Sequence, residues 1–247
     1  MNKAVLLPLV STLATLAAGG AGADPAELAA VGRLDLGGSA ACTGTLVAPD
    51  LVLTAGHCLT KSRADGGDAP QIRFLPGRSP DHPPPELVPG TEIAVHPIFG
   101  FGIGPGEARI AFDLGLLRLD RPVSEEVARP IPLGALPELE SPLFIAGYRG
   151  GRGSVARQRR CDVIEANHAV AALGCEVDRG ESGSPMLQVR ESRLEIVGVV
   201  SNKGVIEEQP VAYGPVTATG FDTILSYLTM LESGDVELPS LGLDAGN

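Results

Sequence analysis

Short apolar runs broken by Gly, Pro, Asp and Ser recur along the chain and predict strands over residues 41–47, 51–55, 72–75, 91–96 and 113–119. A second strand-rich block spans 143–220, with strands expected at 143–148, 185–188, 195–201 and 210–218. Runs of this length, bounded by turn-forming residues, mark β-structure. Helical periodicity is seen in one place: Phe221, Ile224, Leu225, Leu228 and Leu231 lie on one face of an amphipathic helix over 221–232. Between the blocks, 121–142 is rich in proline and acidic residues and reads as a connection. The segment 76–90 holds Pro76, Pro80, Pro83, Pro84, Pro85 and Pro89. Proline has no N–H for a ladder, so an exposed loop is expected there. Residues 99–106, with alternate glycines from Gly100 to Gly106, predict a second flexible loop. Residues 24–38 read as a short lead-in and 233–247 as a loose tail. The strand pattern alone fits two barrels or one sandwich.

Composition agrees with a turn-rich β protein, since the 247 residues include 32 Gly, 21 Pro and no Trp. Residues 1–23 have the form of an export signal: Lys3, an apolar stretch over 4–18, and Ala21-Gly22-Ala23 as the cleavage site before a mature start at Asp24. The apolar stretch falls short of the roughly 20 residues a spanning helix needs. A secreted or periplasmic protein with no membrane attachment after signal removal is expected. Lys3 is the one charge removed, so the formal net charge moves from −11 to −12. An acidic surface argues against nucleic acid as a partner. The basic cluster between Arg149 and Arg160 reads as a solvated loop, with self-cleavage as an alternative use.

Three motifs carry candidate chemistry: Thr54-Ala55-Gly56-His57-Cys58, Asp113-Leu114-Gly115-Leu116-Leu117, and Gly180-Glu181-Ser182-Gly183-Ser184-Pro185. A serine hydroxyl is a weak nucleophile and needs a base within hydrogen-bonding reach. Imidazole suits that task near neutral pH, and a buried carboxylate fixes its tautomer. His82, His96 and His168 read as structural or exposed, Asp50 and Asp120 as turn residues, and Ser184 and Ser201 as the lesser serine candidates.

With these runs in the order His, Asp, Ser, and with Cys42-Thr43-Gly44-Thr45-Leu46 ahead of His57, the chain resembles the chymotrypsin-like (trypsin-like) serine proteases. The resemblance implies an all-β fold of two six-stranded antiparallel β-barrels with a C-terminal helix. The peptidase domain would span 24–247, with barrels over about 30–122 and 135–220 and the helix over 221–232. It implies a monomeric serine endopeptidase that cleaves protein or peptide substrates through an acyl-enzyme, without cofactor or metal. His57 becomes the base, Asp113 its orienting acid and Ser182 the nucleophile, with the backbone N–H groups of Gly180 and Ser182 as the oxyanion hole. Gly183 and Ser184 are expected to keep the turn small for the approaching acyl group. Four cysteines after an export signal imply disulfides in one of three connectivities. The resemblance selects Cys42–Cys58 and leaves Cys161–Cys175; no Cys-x-x-Cys spacing supports zinc.

For the specificity pocket, the resemblance points to Glu176, Ser201 and Lys203. Glu176 stands where trypsin-like members carry an acidic pocket base. Ser201-Asn202-Lys203-Gly204 resembles the segment that binds substrate backbone, and Lys203 would favour acidic side chains. Val200 stands where glutamyl-specific members carry histidine, so glutamate specificity is not expected. The serine turn, with Ser184 after Gly183 and Cys175 ahead of it, is similar to bacterial glutamyl-endopeptidase-like branches. Glu181 replaces the Asp that pairs, in digestive members, with an amine released by zymogen cleavage, and no Arg/Lys-Ile-Val-Gly-Gly start is present. Activation by signal removal and folding is expected, with a short propeptide over about 24–30 as the alternative. Two other classes compete. A protease-like binding protein without activity would usually lack a triad residue. An esterase of another fold would use a Gly-x-Ser-x-Gly elbow, but Ser184 breaks the final glycine and the order His, Asp, Ser is wrong for it.

Overall fold

A computed structural model describes residues 26–37, 41–64, 71–77, 86–100, 107–139, 141–151 and 156–235. The expected export signal and mature start, most of the tail, and parts of both expected loops (78–85 and 101–106) lie outside these residues. Six strands of the first half close into an antiparallel barrel. These are β1 (Val31–Asp35), β2 (Ala41–Ala48), β3 (Leu51–Thr54), β4 (Arg73–Leu75), β5 (Val88–Val95) and β6 (Gly115–Leu119), in the order β1-β2-β3-β6-β5-β4. Closure pairs every strand on both sides, which removes the exposed edges an open sheet would present.

Two sequence expectations change here. The lead-in expected over 24–38 contains β1, which pairs with both β2 and β4 and so closes the barrel. A Cβ on its Gly32 would collide with the Phe74 ring and the Leu75 carbonyl. Close packing demands that glycine. The proline-rich loop gives way to strand from Val88, with Pro89 inside β5 beside a register shift at Gly90/Glu92. A residue without an N–H is tolerated next to such an irregularity.

The second half holds β7 (Leu143–Gly147), β8 (Arg157–Cys161), β9 (Val163–Ala166), β10 (Val170–Leu173), β11 (Pro185–Arg190), β12 (Arg193–Val199), β13 (Asn202–Ile206) and β14 (Gln209–Pro215). They form two four-stranded antiparallel sheets, β8-β7-β11-β12 and β9-β10-β14-β13, touching through a bridge between Gly198 and Val216. The expected all-β antiparallel fold with a C-terminal helix is what the chain forms, and in the second half the described strands make two four-stranded sheets that share one core. The basic cluster is not simply a solvated loop, because Arg157–Cys161 is β8 and pairs along its whole length with β7.

Two short 3-10 helices, Glu27–Ala30 and Arg149–Gly151, and four α-helices, α1 (Gly56–Ala64), α2 (Pro97–Gly100), α3 (Glu107–Ala111) and α4 (Thr217–Ser233), complete the described chain. The last starts before the expected position and ends at Gly234, whose φ of 77° supplies the left-handed stop. It buries Ile224 and Leu228 and packs on β5 and β12, bridging the two halves. The core is shared as well, since Phe144, Ala146, Leu187 and Ile196 join the first barrel's cluster. Cys42–Cys58 and Cys161–Cys175 are the two disulfides.

Candidate active site

His57 and Asp113 meet because β3 and β6 are neighbours. Thr54 pairs with Gly115, so the first turn of α1 after β3 faces the turn leading into β6. The helix comes close enough that a Cβ on Gly115 would strike Leu59 and the Cα of Gly56. Asp113 is 3% exposed and accepts three hydrogen bonds. Its Oδ1 takes the backbone N–H of His57 at 2.7 Å. Its Oδ2 lies 2.6 Å from His57 Nδ1 and takes the Ser201 hydroxyl at 2.5 Å. An ionised carboxylate only accepts, so this contact assigns the proton to Nδ1 and leaves Nε2 as the acceptor.

Two consecutive tight turns present Ser182. The Glu181 N–H donates to Asp178 C=O at 3.1 Å and the Ser184 N–H to Glu181 C=O at 3.0 Å. Each turn has a left-handed glycine in third place, Gly180 at φ 90° and Gly183 at φ 82°, which is where turns of this kind need glycine. A Cβ on Gly183 would fall on the Thr43 carbonyl and the Thr54 hydroxyl. The smallness expected to admit an acyl group therefore serves contact with the first barrel.

Thr43, on β2, links that barrel to the turn. Its N–H donates to Ser182 C=O at 2.8 Å and its hydroxyl to Gly180 C=O at 2.8 Å. The same hydroxyl accepts the Tyr148 N–H at 3.1 Å, while the Thr43 carbonyl accepts the Thr54 hydroxyl at 2.8 Å. Tyr148 is buried, and burial raises its phenol well above the ordinary range; its hydroxyl donates to Val31 C=O at 3.0 Å. Glu181, between Gly180 and Ser182, is fully buried and pairs with Arg159 at 2.6 Å. Sequence reasoning passed over Thr43, Tyr148 and Arg159. For Thr43 the available signal was a threonine pair, Thr43 and Thr45, within β2; for Tyr148 and Arg159 there was none.

A cleft of about 530 Å³ is lined by His57, Asp113, Ser182, Ser201, Phe99 and Arg109, among others. Among the described residues the Ser182 hydroxyl has no hydrogen-bond partner, and Ser182 lines the cleft together with His57. Contacts between a nucleophile and its base commonly tighten only when substrate binds. The Arg109 guanidinium sits 5.9 Å from the Phe99 ring centre. Glu176 and Lys203 do not line this cleft. The Glu176 side chain is 66% exposed and faces Arg149 at 3.2 Å, and Lys203 reaches Asp178 at 3.6 Å. The Arg179 N–H, Lys203 and Arg149 hold the Asp178 carboxyl below its ordinary range. Cys42, His57 and Cys58 cluster in space, but both sulfurs are in the disulfide and offer no thiolate to a metal.

A sequence model of the family described as Trypsin matches residues 17–223. Lectizyme of Glossina austeni is 23% identical over 220 residues, covering 72% of this chain and 73% of that protein. Serine protease 56 of Mus musculus is 32% identical over 151 residues, covering 58% of this chain and 23% of that protein. A solved structure of Glu endopeptidase in complex with MPD superposes with a TM-score of 0.64 at 23% identity, covering 82% of this chain and 91% of that one.

Proposed function

Because the chain belongs to the trypsin family, we propose that it is a secreted serine endopeptidase that hydrolyses protein or peptide substrates through Ser182, His57 and Asp113. The observation that carries the reading is the Asp113 carboxylate, which binds the His57 backbone, its Nδ1 and Ser201 in the same cleft as Ser182. His57 Nε2 takes the proton as Ser182 Oγ attacks the scissile carbonyl carbon. The carbonyl π electrons move to oxygen, and the oxyanion is met by the N–H groups of Gly180 and Ser182. The imidazolium, stabilised by Asp113, returns its proton to the leaving amine as the C–N bond breaks. Water then attacks the acyl carbon and gives a proton to His57, which returns it to Ser182 Oγ as the C–Oγ bond breaks, releasing the acid.

Secretion is supported by the two disulfides, which persist in oxidising compartments. Among the described residues no helix is long and apolar enough to cross a membrane. The test is incubation of the chain starting at Asp24 with a peptide library, reading new termini by mass spectrometry, with Ser182→Ala beside it. Cleavage by the first and none by the second is expected. Equal cleavage by both would refute the assignment of Ser182.

A further inference from the structure

We propose that Arg159 is a positioning residue for the oxyanion donors: it is the internal counter-ion of Glu181, and it sets the Gly180–Ser182 turn with no contribution from a chain terminus. This rests on the endopeptidase reading above. Glu181 joins the two donor residues in sequence, so the direction of its side chain and the orientation of both donor peptides are coupled. Its side chain is 0% exposed. One carboxylate oxygen receives Arg159 Nη2 at 2.6 Å and the other the Asp178 N–H at 2.9 Å. The backbone N–H of Glu181 returns to Asp178 C=O at 3.1 Å. Rotating the turn would break all three contacts and strand a carboxylate away from water, which is strongly unfavourable.

Arg159 suits the role because it sits on a rigid element. It pairs across the sheet with Ile145 on β7, and Ile145 pairs in turn with Met186 on β11, the strand that leaves the nucleophile turn. Two residues beyond Arg159, Cys161 is bonded to Cys175 on the segment that enters the turn. Both approaches to the turn are thus tied to the strand that carries the guanidinium. One cation neutralises one carboxylate, so a terminal amine brought to the same place would be a buried charge without a partner. The described start of the chain lies elsewhere: Ala26 and Glu27 line a groove with Arg129, Pro130, Ile131, Pro132 and Leu194, and Leu28 to Ala30 are buried.

The test compares the chain starting at Asp24, Arg159→Met, Arg159→Lys, and the same chain behind a short Gly/Ser extension. The readout is the burst of acylation by p-nitrophenyl acetate, resolved into an acylation constant and an apparent binding constant. Arg159→Met is expected to lower the acylation constant by about two to three orders of magnitude, the size of a lost oxyanion donor, with binding unchanged. A peptidyl boronate, which forms the tetrahedral adduct, should weaken in parallel. Arg159→Lys should restore most of the loss, and the extended chain should acylate as fast as the unextended one. Acylation by Arg159→Met at the parent rate would overturn the proposal. So would an extended chain that is silent until the extension is removed. If Arg159→Met fails to fold, a folded Arg159→Lys chain that has lost acylation, or an extended chain that is silent until the extension is removed, overturns the proposal. A folded parent chain that shows no acylation overturns the endopeptidase reading itself, and this proposal with it.

Discussion

The Thr43 hydroxyl donates to the Gly180 carbonyl at 2.8 Å across 137 residues of sequence, joining β2 of the barrel to the turn that presents Ser182. Both ends are buried, and the same oxygen accepts the Tyr148 N–H. Thr43→Val would leave the Gly180 carbonyl and the Tyr148 N–H unmet. A loss of about 1–3 kcal/mol in stability by urea denaturation is expected, the cost of an unsatisfied buried group. Acylation of Ser182 should slow in step, and Thr43→Ser should retain both contacts and both properties.

Gly183→Ala should be more severe. Its φ of 82° disfavours any side chain, and the new methyl would meet backbone and hydroxyl atoms of the first barrel. Neither neighbour is the far end of a flexible chain, so the turn has to move. The expected result is loss of labelling at Ser182 and a melting temperature well below the parent's, read by circular dichroism.

Asp113→Asn should preserve the fold while reversing the donor at His57 Nδ1. The same change in a serine protease triad lowers turnover by about four orders of magnitude. Ser201→Ala, which removes one of three donors to the carboxylate, should cost far less. A steady-state comparison of the two variants checks the ordering.

Acid stability has a separate source in His96, which is 4% exposed and stacked on Phe112 with ring centres 4.6 Å apart. Burial lowers its pKa from the ordinary value of about 6.5. Above that pH both folded and unfolded forms are neutral and the group has no effect on stability. As pH falls below about 6.5 the unfolded chain takes up the proton first, and stability declines until the folded value is reached. His96→Phe should flatten that part of the stability–pH curve, measured by denaturant midpoints across the acid range.

Removing Cys161–Cys175 by paired alanine substitution should cost about 3 kcal/mol, as expected for a loop of 14 residues. Because the bond lies two residues from Arg159, catalysis should fall as well as the melting temperature. Loss of stability with full activity would separate the disulfide from the turn.

The catalytic candidates were legible in the sequence because each sits in a short motif whose neighbours are dictated locally: the helix start at His57, the turn into β6 at Asp113, the glycine-flanked turn at Ser182. Strands with continuous apolar runs were plain at Leu51–Thr54 and Leu143–Gly147, though the short run Val170–Leu173 was not singled out. β1, β8, β9 and β13 were not read as strands either. In β1 the barrel demands Gly32 for close packing, and in β8 four of the five residues are polar, so neither shows an apolar run. The contacts of Thr43 and Arg159 with the turn join residues 137 and 22 positions apart, and no local pattern encodes them. Glu176 and Lys203 rested on alignment to a family position, and their side chains meet Arg149 and Asp178 outside the described cleft.

The most direct measurement is reaction of the purified chain starting at Asp24 with a fluorophosphonate, with the labelled residue located by peptide mass spectrometry. One label per chain is expected on Ser182, absent in Ser182→Ala and strongly slowed in His57→Ala. A folded chain with both disulfides formed that takes up no label, or takes it on another serine, would contradict the assignment of Ser182 as nucleophile.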